Sequence, residues 1–187
     1  MSYVETEYRI MPTEAYRIVR NCSGCGGREI FASMGKFRVN ANKSCLDVWL
    51  IYRCEKCGRT YNLGIYERVR PDAIPSDEYR QFLANDGERA FFCGTRREIF
   101  FRCRAEIDWA SVRYELIPVK SGEGALFAEE ADAEERDTGK ARAAITLHNP
   151  LGIPVRKDKI VSDILKISRG EAKERLRDGS VILDITF

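Results

Sequence analysis

Histidine is almost absent from this sequence, in which His148 is the only one among 187 residues. Metal sites built from several histidines are therefore excluded, and the chain has no His-Glu-x-x-His motif. It also has no phosphate-binding glycine loop and no Ser/His/Asp order typical of hydrolases. His148 has no partner motif near it in sequence, and a single histidine at the end of a strand is more often structural than catalytic. No motif in the chain defines an enzyme.

Long apolar runs are also missing, because none approaches the roughly 18–20 residues of a membrane span. The first residues, Met1 to Glu5, lack the basic start and apolar core of a signal peptide. The composition, 44% hydrophobic and 32% charged, is that of a folded globular protein. We therefore expect a cytoplasmic protein without a membrane partner, long enough for one compact domain or two small ones.

Cysteine, in contrast, occurs in a defined pattern of two Cys-x-x-Cys-Gly motifs. The four cysteines of these motifs are Cys22, Cys25, Cys54 and Cys57. Two thiolates on each of two tight turns supply the tetrahedral shell of one structural zinc ion and leave no position for a catalytic water. Gly26 and Gly58 fit such turns, because a positive φ after the second ligand directs backbone N–H groups toward sulfur. The 28 residues between Cys25 and Cys54 predict a zinc ribbon with an enlarged hairpin.

The alternative is a pair of redox-active or free cysteine motifs, although a redox Cys-x-x-Cys normally occurs alone at a strand-to-helix junction. Three further cysteines remain, Cys45, Cys93 and Cys103. Their odd number fits a reducing compartment better than a disulfide framework, and we expect them to be small buried apolar residues.

The small net charge of +2 conceals an uneven distribution. Residues 1–70 carry a surplus of five positive charges, residues 71–149 a surplus of five negative charges, and residues 150–187 a surplus of two positive charges. The two ends of the chain are therefore where a polyanion would bind.

Hydrophobic periodicity predicts an α+β fold in four segments. Residues 1–70 are predicted to form zinc-ribbon hairpins, and residues 71–120 a helical and strand connector whose phenylalanines cover the ribbon. The helix opening at Ser76 is expected to end at a glycine cap, Gly87. Residues 121–140 are rich in Glu, Asp, Ala and Gly, which is typical of an acidic linker or a surface helix. Residues 141–187 are predicted to form a small α/β unit.

That last unit is predicted to contain two short helices and a final strand. Ser168 and Glu171 form the pattern of a capping box that begins the second helix, and Gly179 ends it. Arg169, Lys173 and Arg177 follow at i, i+4 and i+8 and form a basic stripe that can track phosphates. The alternative is a solvated helix face with ion pairs such as Glu171–Arg175.

The residues around this hairpin resemble those of the S-four-like, or alpha-L, RNA-binding domain. The resemblance consists of Arg156-x-Asp158-Lys159, then Ile167-Ser168-Arg169-x-x-Ala172, then Gly179-x-Val181. It implies that RNA is bound by Arg156, Lys159, Arg169, Lys173 and Arg177. After Val181 this chain departs from the family, which expects Val-Asn-Gly and further strands. Strands near 112–117 and 141–148 are expected to complete the sheet of a truncated or rearranged S-four-like unit.

The chain as a whole resembles a bacterial domain-of-unknown-function family, number 1062. The resemblance includes both cysteine motifs, the run Lys36 to Asn42, the run Leu46 to Cys54 and the terminal hairpin. It implies a zinc-ribbon front and an S-four-like back. No activity follows from it.

The sequence thus favours a non-catalytic, zinc-binding protein whose partner is structured RNA, ribosomal or transfer RNA. One alternative is a protein–protein adaptor, in which the acidic segment 121–140 makes the contact. Another is an RNA-modifying enzyme with dispersed catalytic residues, for which Asp108 and His148 are the candidates if the fold brings them together.

Overall fold

The fold is mixed α+β, with two sheets and five α-helices in a computed structural model that describes residues 4–42, 44–119 and 142–187. The strands of these ranges are β1 Val4–Pro12, β2 Ile18–Cys22, β3 Gly27–Asn42, β4 Cys45–Cys54, β5 Thr60–Val69, β6 Glu106–Ile107, β7 Tyr114–Pro118, β8 Ala143–His148 and β9 Val181–Thr186. The helices are α1 Ser76–Ala84, α2 Gly87–Cys93, α3 Arg97–Arg102, α4 Lys157–Leu165 and α5 Arg169–Arg177, and 3₁₀ turns cover Pro71–Ala73 and Trp109–Ser111. None of these helices combines the length and apolar character needed to cross a membrane.

The described chain divides into two compact units. One runs from Pro12 to Tyr114, and the other combines the residues up to Met11 with those from Glu115 onward. These limits differ from the predicted segments, because β1 pairs in parallel with β8 from Val4↔Ala143 to Arg9↔His148. The helices of 76–102 also belong to the cysteine-containing unit rather than to a separate connector. The predicted acidic linker, 121–140, lies outside the described residues.

The Pro12–Tyr114 unit is built on a five-stranded sheet of order β5-β4-β3-β2-β6. Alternation along β4 places Leu46, Val48, Leu50 and Tyr52 on one face, where all four are buried. Helices α1 to α3 pack on this side. Phe82 of α1 contacts the ring of Phe37 at a centroid distance of 4.8 Å, so the first helix is fixed to the long hairpin.

The boundaries of these helices correct one prediction. Helix α1 ends at Ala84, and its C-terminal cap is Asn85, which takes the left-handed conformation with φ 52°, and not a glycine. Gly87 instead begins α2, where the Asp86 carboxylate accepts a hydrogen bond of 2.7 Å from the Arg89 N–H. Asn85 can replace glycine because its short polar side chain tolerates the left-handed region. Two short helices, α2 and α3, follow α1 along the chain.

The phenylalanines of the helical segment do not all cover the sheet as expected. Phe100 is buried, with its ring 6.0 Å from Tyr16 and 6.4 Å from Tyr52. Phe101, the next residue, is 88% exposed. A short helix presents only one face to the sheet, and adjacent residues point about 100° apart.

The second unit contains a four-stranded sheet of order β7-β1-β8-β9. Strands β8 and β9 run parallel, from Ala143↔Val181 to His148↔Thr186. A parallel pair needs a long crossover, and helices α4 and α5 provide it. Ile160, Val161 and Ala172 of these helices are buried, as are Ile145, Leu147, Val181 and Leu183 of the strands. The regions near 112–117 and 141–148 thus contribute β7 and β8 to the sheet that contains β9.

Candidate metal centre

The two Cys-x-x-Cys motifs lie at the ends of two hairpins of the same sheet. Strand β2 ends at Cys22 and β3 begins at Gly27, whereas β4 ends at Cys54 and β5 begins at Thr60. Strands β3 and β4 pair directly, with Phe31 opposite Cys54. This pairing brings the two turns, which are separated by the long β3–β4 hairpin in sequence, to one end of the sheet.

Each turn has the glycine conformation expected from the sequence. Gly26 has φ 74° and Gly58 has φ 76°. The Gly26 N–H donates a 2.9 Å hydrogen bond to the Cys22 carbonyl, and the Gly58 N–H donates an equal bond to the Cys54 carbonyl. The two turns therefore repeat one geometry, which holds both cysteines of each motif on the same side.

The four sulfur atoms form one cluster, in which all lie within 4.8 Å of one another. The Sγ atoms of Cys22 and Cys57 are 3.4 Å apart, and those of Cys25 and Cys54 are 3.9 Å apart. Sulfurs that are each about 2.3 Å from a tetrahedral zinc ion lie about 3.8 Å apart. The donor set and its spacing fit a metal ion of that size. Cys45, Cys93 and Cys103 are free cysteines outside this cluster.

Proximity separates the pKa values of the thiols in the first motif. Burial acts to raise the pKa of Cys22, but hydrogen bonds with the Cys57 thiol and with the backbone of Cys25 and Gly24 lower it to about 7. Burial, and next the neighbouring thiols of Cys57 and Cys22, raise the pKa of Cys25 to about 12. The thiolate of Cys22 therefore forms readily, while a metal ion must displace the proton of the Cys25 thiol.

The surroundings of the cluster include a glycine that sequence reasoning missed. A Cβ atom at Gly24 would lie 2.7 Å from Arg59 Nε and 3.0 Å from Cys57 Sγ. Gly24 thus allows the Arg59 side chain and the second turn to approach the first. Its place between the two cysteines of Cys22-Ser23-Gly24-Cys25 was the sequence signal that could have identified it. Outside the cluster, Lys56 Nζ pairs with Glu29 at 2.8 Å.

The residues predicted to bind RNA all belong to the second unit. Arg169, Lys173 and Arg177 lie on α5 and are exposed, and Arg156 and Lys159 lie at the start of α4 and are exposed too. Lys159 Nζ pairs with Asp163 at 2.9 Å. Arg156 and Arg169 both pair with Asp158, an acid that sequence reasoning did not place in the site.

The start of α5 follows the predicted cap in part. The Ser168 Oγ accepts a 3.2 Å hydrogen bond from the Glu171 N–H. The Glu171 carboxylate does not complete a capping box but accepts a 2.7 Å bond from Arg175 Nη2. The Glu171–Arg175 ion pair, which the sequence offered as the alternative of a solvated helix face, is therefore present. It lies on a different side of α5 from the basic stripe.

The two residues considered for catalysis have different settings. Asp108 belongs to the Pro12–Tyr114 unit, where its N–H donates to the Arg17 carbonyl at 2.9 Å. His148 belongs to the other unit, with Nδ1 3.0 Å from Thr186 Oγ1 and Nε2 3.5 Å from Glu7 Oε2. Among the described residues, His148 therefore has polar neighbours on the two strands that flank β8.

Fold and site together define a two-unit α+β protein with a four-cysteine cluster able to hold a metal ion. A sequence profile of the family described as "Protein of unknown function (DUF1062)" matches residues 39–186, so the chain belongs to that family. The match includes the second cysteine motif and the α4–α5 hairpin, whereas the first motif precedes it. No curated protein and no solved structure matches the chain.

Proposed function

We propose that the cluster holds one Zn²⁺ with a structural role. Four thiolates complete a tetrahedral shell, which leaves no position for substrate or water, so the ion joins the two hairpins and performs no chemistry. Zinc suits this donor set because thiolates favour it over hard ions such as Mg²⁺ or Ca²⁺. The geometric support is the set of four sulfurs within 4.8 Å.

The test compares two Cys→Ser variants of the same chain. Cys57→Ser removes one ligand, and Cys45→Ser removes a thiol outside the cluster. A chelator should unfold the wild type and Cys45→Ser, whereas Cys57→Ser should be destabilised before any chelator is added. Wild-type protein that stays fully folded after metal removal would contradict the structural role.

We further propose that the second unit is a rearranged S-four-like unit that binds structured RNA, ribosomal or transfer RNA. The observation that carries this proposal is the α5 stripe, on which Arg169, Lys173 and Arg177 are exposed and follow one another about 6 Å apart along the helix. Charged side chains spaced in this way can neutralise successive phosphates of a nucleic acid. Arg156 and Lys159 extend the surface at the start of α4.

The test is crosslinking in cells followed by sequencing of the bound RNA. The double variant Arg169→Glu, Lys173→Glu should lose most crosslinks, and binding should fall steeply with salt. A matched control is Arg70→Glu, Arg80→Glu, which reverses two exposed charges in the other unit. Equal crosslinking by wild type and the α5 variant would contradict the proposal.

A protein–protein adaptor is the second candidate, and one observation favours it. Leu83, Phe92 and Phe101 are exposed on the three helices of the Pro12–Tyr114 unit, and exposed aromatic residues are enriched at protein interfaces. Crosslinks to proteins and none to RNA, lost with Phe101→Ala, would support this candidate instead.

A further inference from the structure

One carboxylate, Asp158, joins two of the arginines of the proposed RNA surface. Arg156 donates from Nε to Oδ1 at 3.2 Å and from Nη2 to Oδ2 at 3.1 Å. Arg169 donates from Nε and Nη2 to Oδ2 at 3.2 Å and 2.9 Å. The acid therefore connects the residue before α4 to the first residue of α5, across the hairpin.

Exposure differs sharply among the three side chains. Asp158 is only 17% exposed, whereas Arg156 is 72% and Arg169 is 51% exposed. The carboxylate thus lies beneath two guanidinium groups that face solvent. Hydrogen bonds from Arg169, together with those from Arg156, hold the pKa of Asp158 below its usual range, so this carboxylate is charged at neutral pH.

The arrangement has a physical consequence for the arginines. Two like charges held side by side repel each other, and long arginine side chains lose conformational entropy when they are fixed. A shared carboxylate offsets the repulsion and fixes both side chains before any ligand arrives. Each guanidinium has five N–H donors, and each uses its Nε–H and one Nη2–H on the acid, so further donors remain for phosphate oxygens.

We infer that Asp158 is a positioning residue of the RNA surface, which holds Arg156 and Arg169 as a prearranged pair for one stretch of phosphate backbone. The inference rests on the proposed RNA-binding function. Asp158 does not contact the RNA in this account, because its carboxylate would repel phosphates.

The net charge of the surface and the positioning of the arginines predict opposite effects of Asp158→Asn on RNA affinity. Asp158→Asn removes a negative charge from a phosphate-binding surface, so charge alone predicts tighter binding. If Asp158 positions the arginines, Asp158→Asn weakens binding, because both side chains must be ordered at the moment of association. We expect affinity to fall about three- to tenfold, which corresponds to the loss of roughly one net hydrogen bond.

The experiment measures binding of full-length protein to bulk transfer RNA and to ribosomal RNA by competition at fixed salt. Glu171→Gln is the matched control, since it removes one negative charge from the same hairpin and its partner Arg175 lies outside the proposed set. We expect unchanged or slightly tighter binding for this control. Asp158→Glu keeps the charge and should recover part of the affinity, while thermal unfolding checks that each variant is folded.

A double-mutant cycle separates positioning from damage to the fold. In the background Arg156→Ala, Arg169→Ala, adding Asp158→Asn should no longer weaken binding. Equal weakening in both backgrounds, or tighter binding by Asp158→Asn alone, would overturn the positioning role and leave the RNA-binding proposal intact. Wild-type protein that binds neither RNA would overturn both.

Discussion

Two adjacent glycines of the first cysteine turn allow the backbone contribution to metal binding to be isolated. Gly26 has φ 74°, whereas the φ of Gly27 lies outside the left-handed region, and a Cβ at either position would have no atom within 4 Å. Alanine at Gly26 therefore meets no steric contact but must take the left-handed conformation, which costs about 1–2 kcal/mol. Alanine at Gly27 has no such cost and restricts the unfolded chain, so it should be neutral or stabilise by up to about 1 kcal/mol.

The effect on the metal follows from the same turn. The left-handed residue at 26 allows its N–H to bond the Cys22 carbonyl, which closes the turn that holds Cys22 and Cys25 together. A cost of about 1–2 kcal/mol borne by the folded turn alone should weaken zinc binding roughly five- to thirtyfold. Competition with a chromophoric chelator measures this for Gly26→Ala, Gly27→Ala and the wild type. Equal affinities for the two variants would refute the argument that the conformation of Gly26 builds the site.

Three further predictions concern the folded units. Phe82→Ala should lower the free energy of unfolding by about 3–5 kcal/mol, because Phe82 is buried against Phe37. Phe101→Ala should change it by less than about 0.5 kcal/mol, because Phe101 is exposed. Denaturant unfolding measures both values, and a similar loss for the two variants would contradict the assigned burial. Asp86→Ala removes the cap of α2 and should cost about 1 kcal/mol in the same assay, while no loss would show that the cap is dispensable. The pKa of Asp158 is lower in the folded protein, so the stability that its carboxylate contributes is present above its unfolded pKa of about 3.9 and is lost as the pH falls through the folded value. The difference in free energy of unfolding between wild type and Asp158→Asn should therefore shrink in acid. A difference that does not depend on pH would contradict the ion pairs.

Local sequence signals predicted the candidate metal site but not all the strands of the sheet that carries it. The cysteine spacing, with Gly26 and Gly58, predicted two similar turns, because turn geometry depends on a few neighbouring residues. The start of α5 after Ser168 and the pairing of β3 with β4 as a hairpin were predictable for the same reason. Strand β5, from Thr60 to Val69, was not predicted, since its buried positions do not alternate regularly with exposed ones.

The remaining differences come from contacts between distant parts of the chain. Nothing local in Val4–Pro12 indicates that this strand pairs in parallel with residues 143–148, because parallel pairing has no turn signal. The exposure of Phe101 also depended on which face of a six-residue helix the sheet covers. The role of Asp158 was not predicted, because it depends on the two helices placing both Arg156 and Arg169 against its carboxylate.

Metal analysis of the purified protein under native conditions determines whether the four cysteines hold one structural zinc ion. We expect one zinc per wild-type chain, one per Cys45→Ser chain, and less than one tightly bound zinc per Cys57→Ser chain, because only the last variant loses a thiolate of the cluster. Folded wild-type protein without stoichiometric metal, or Cys57→Ser with the zinc content and affinity of the wild type, would contradict this expectation.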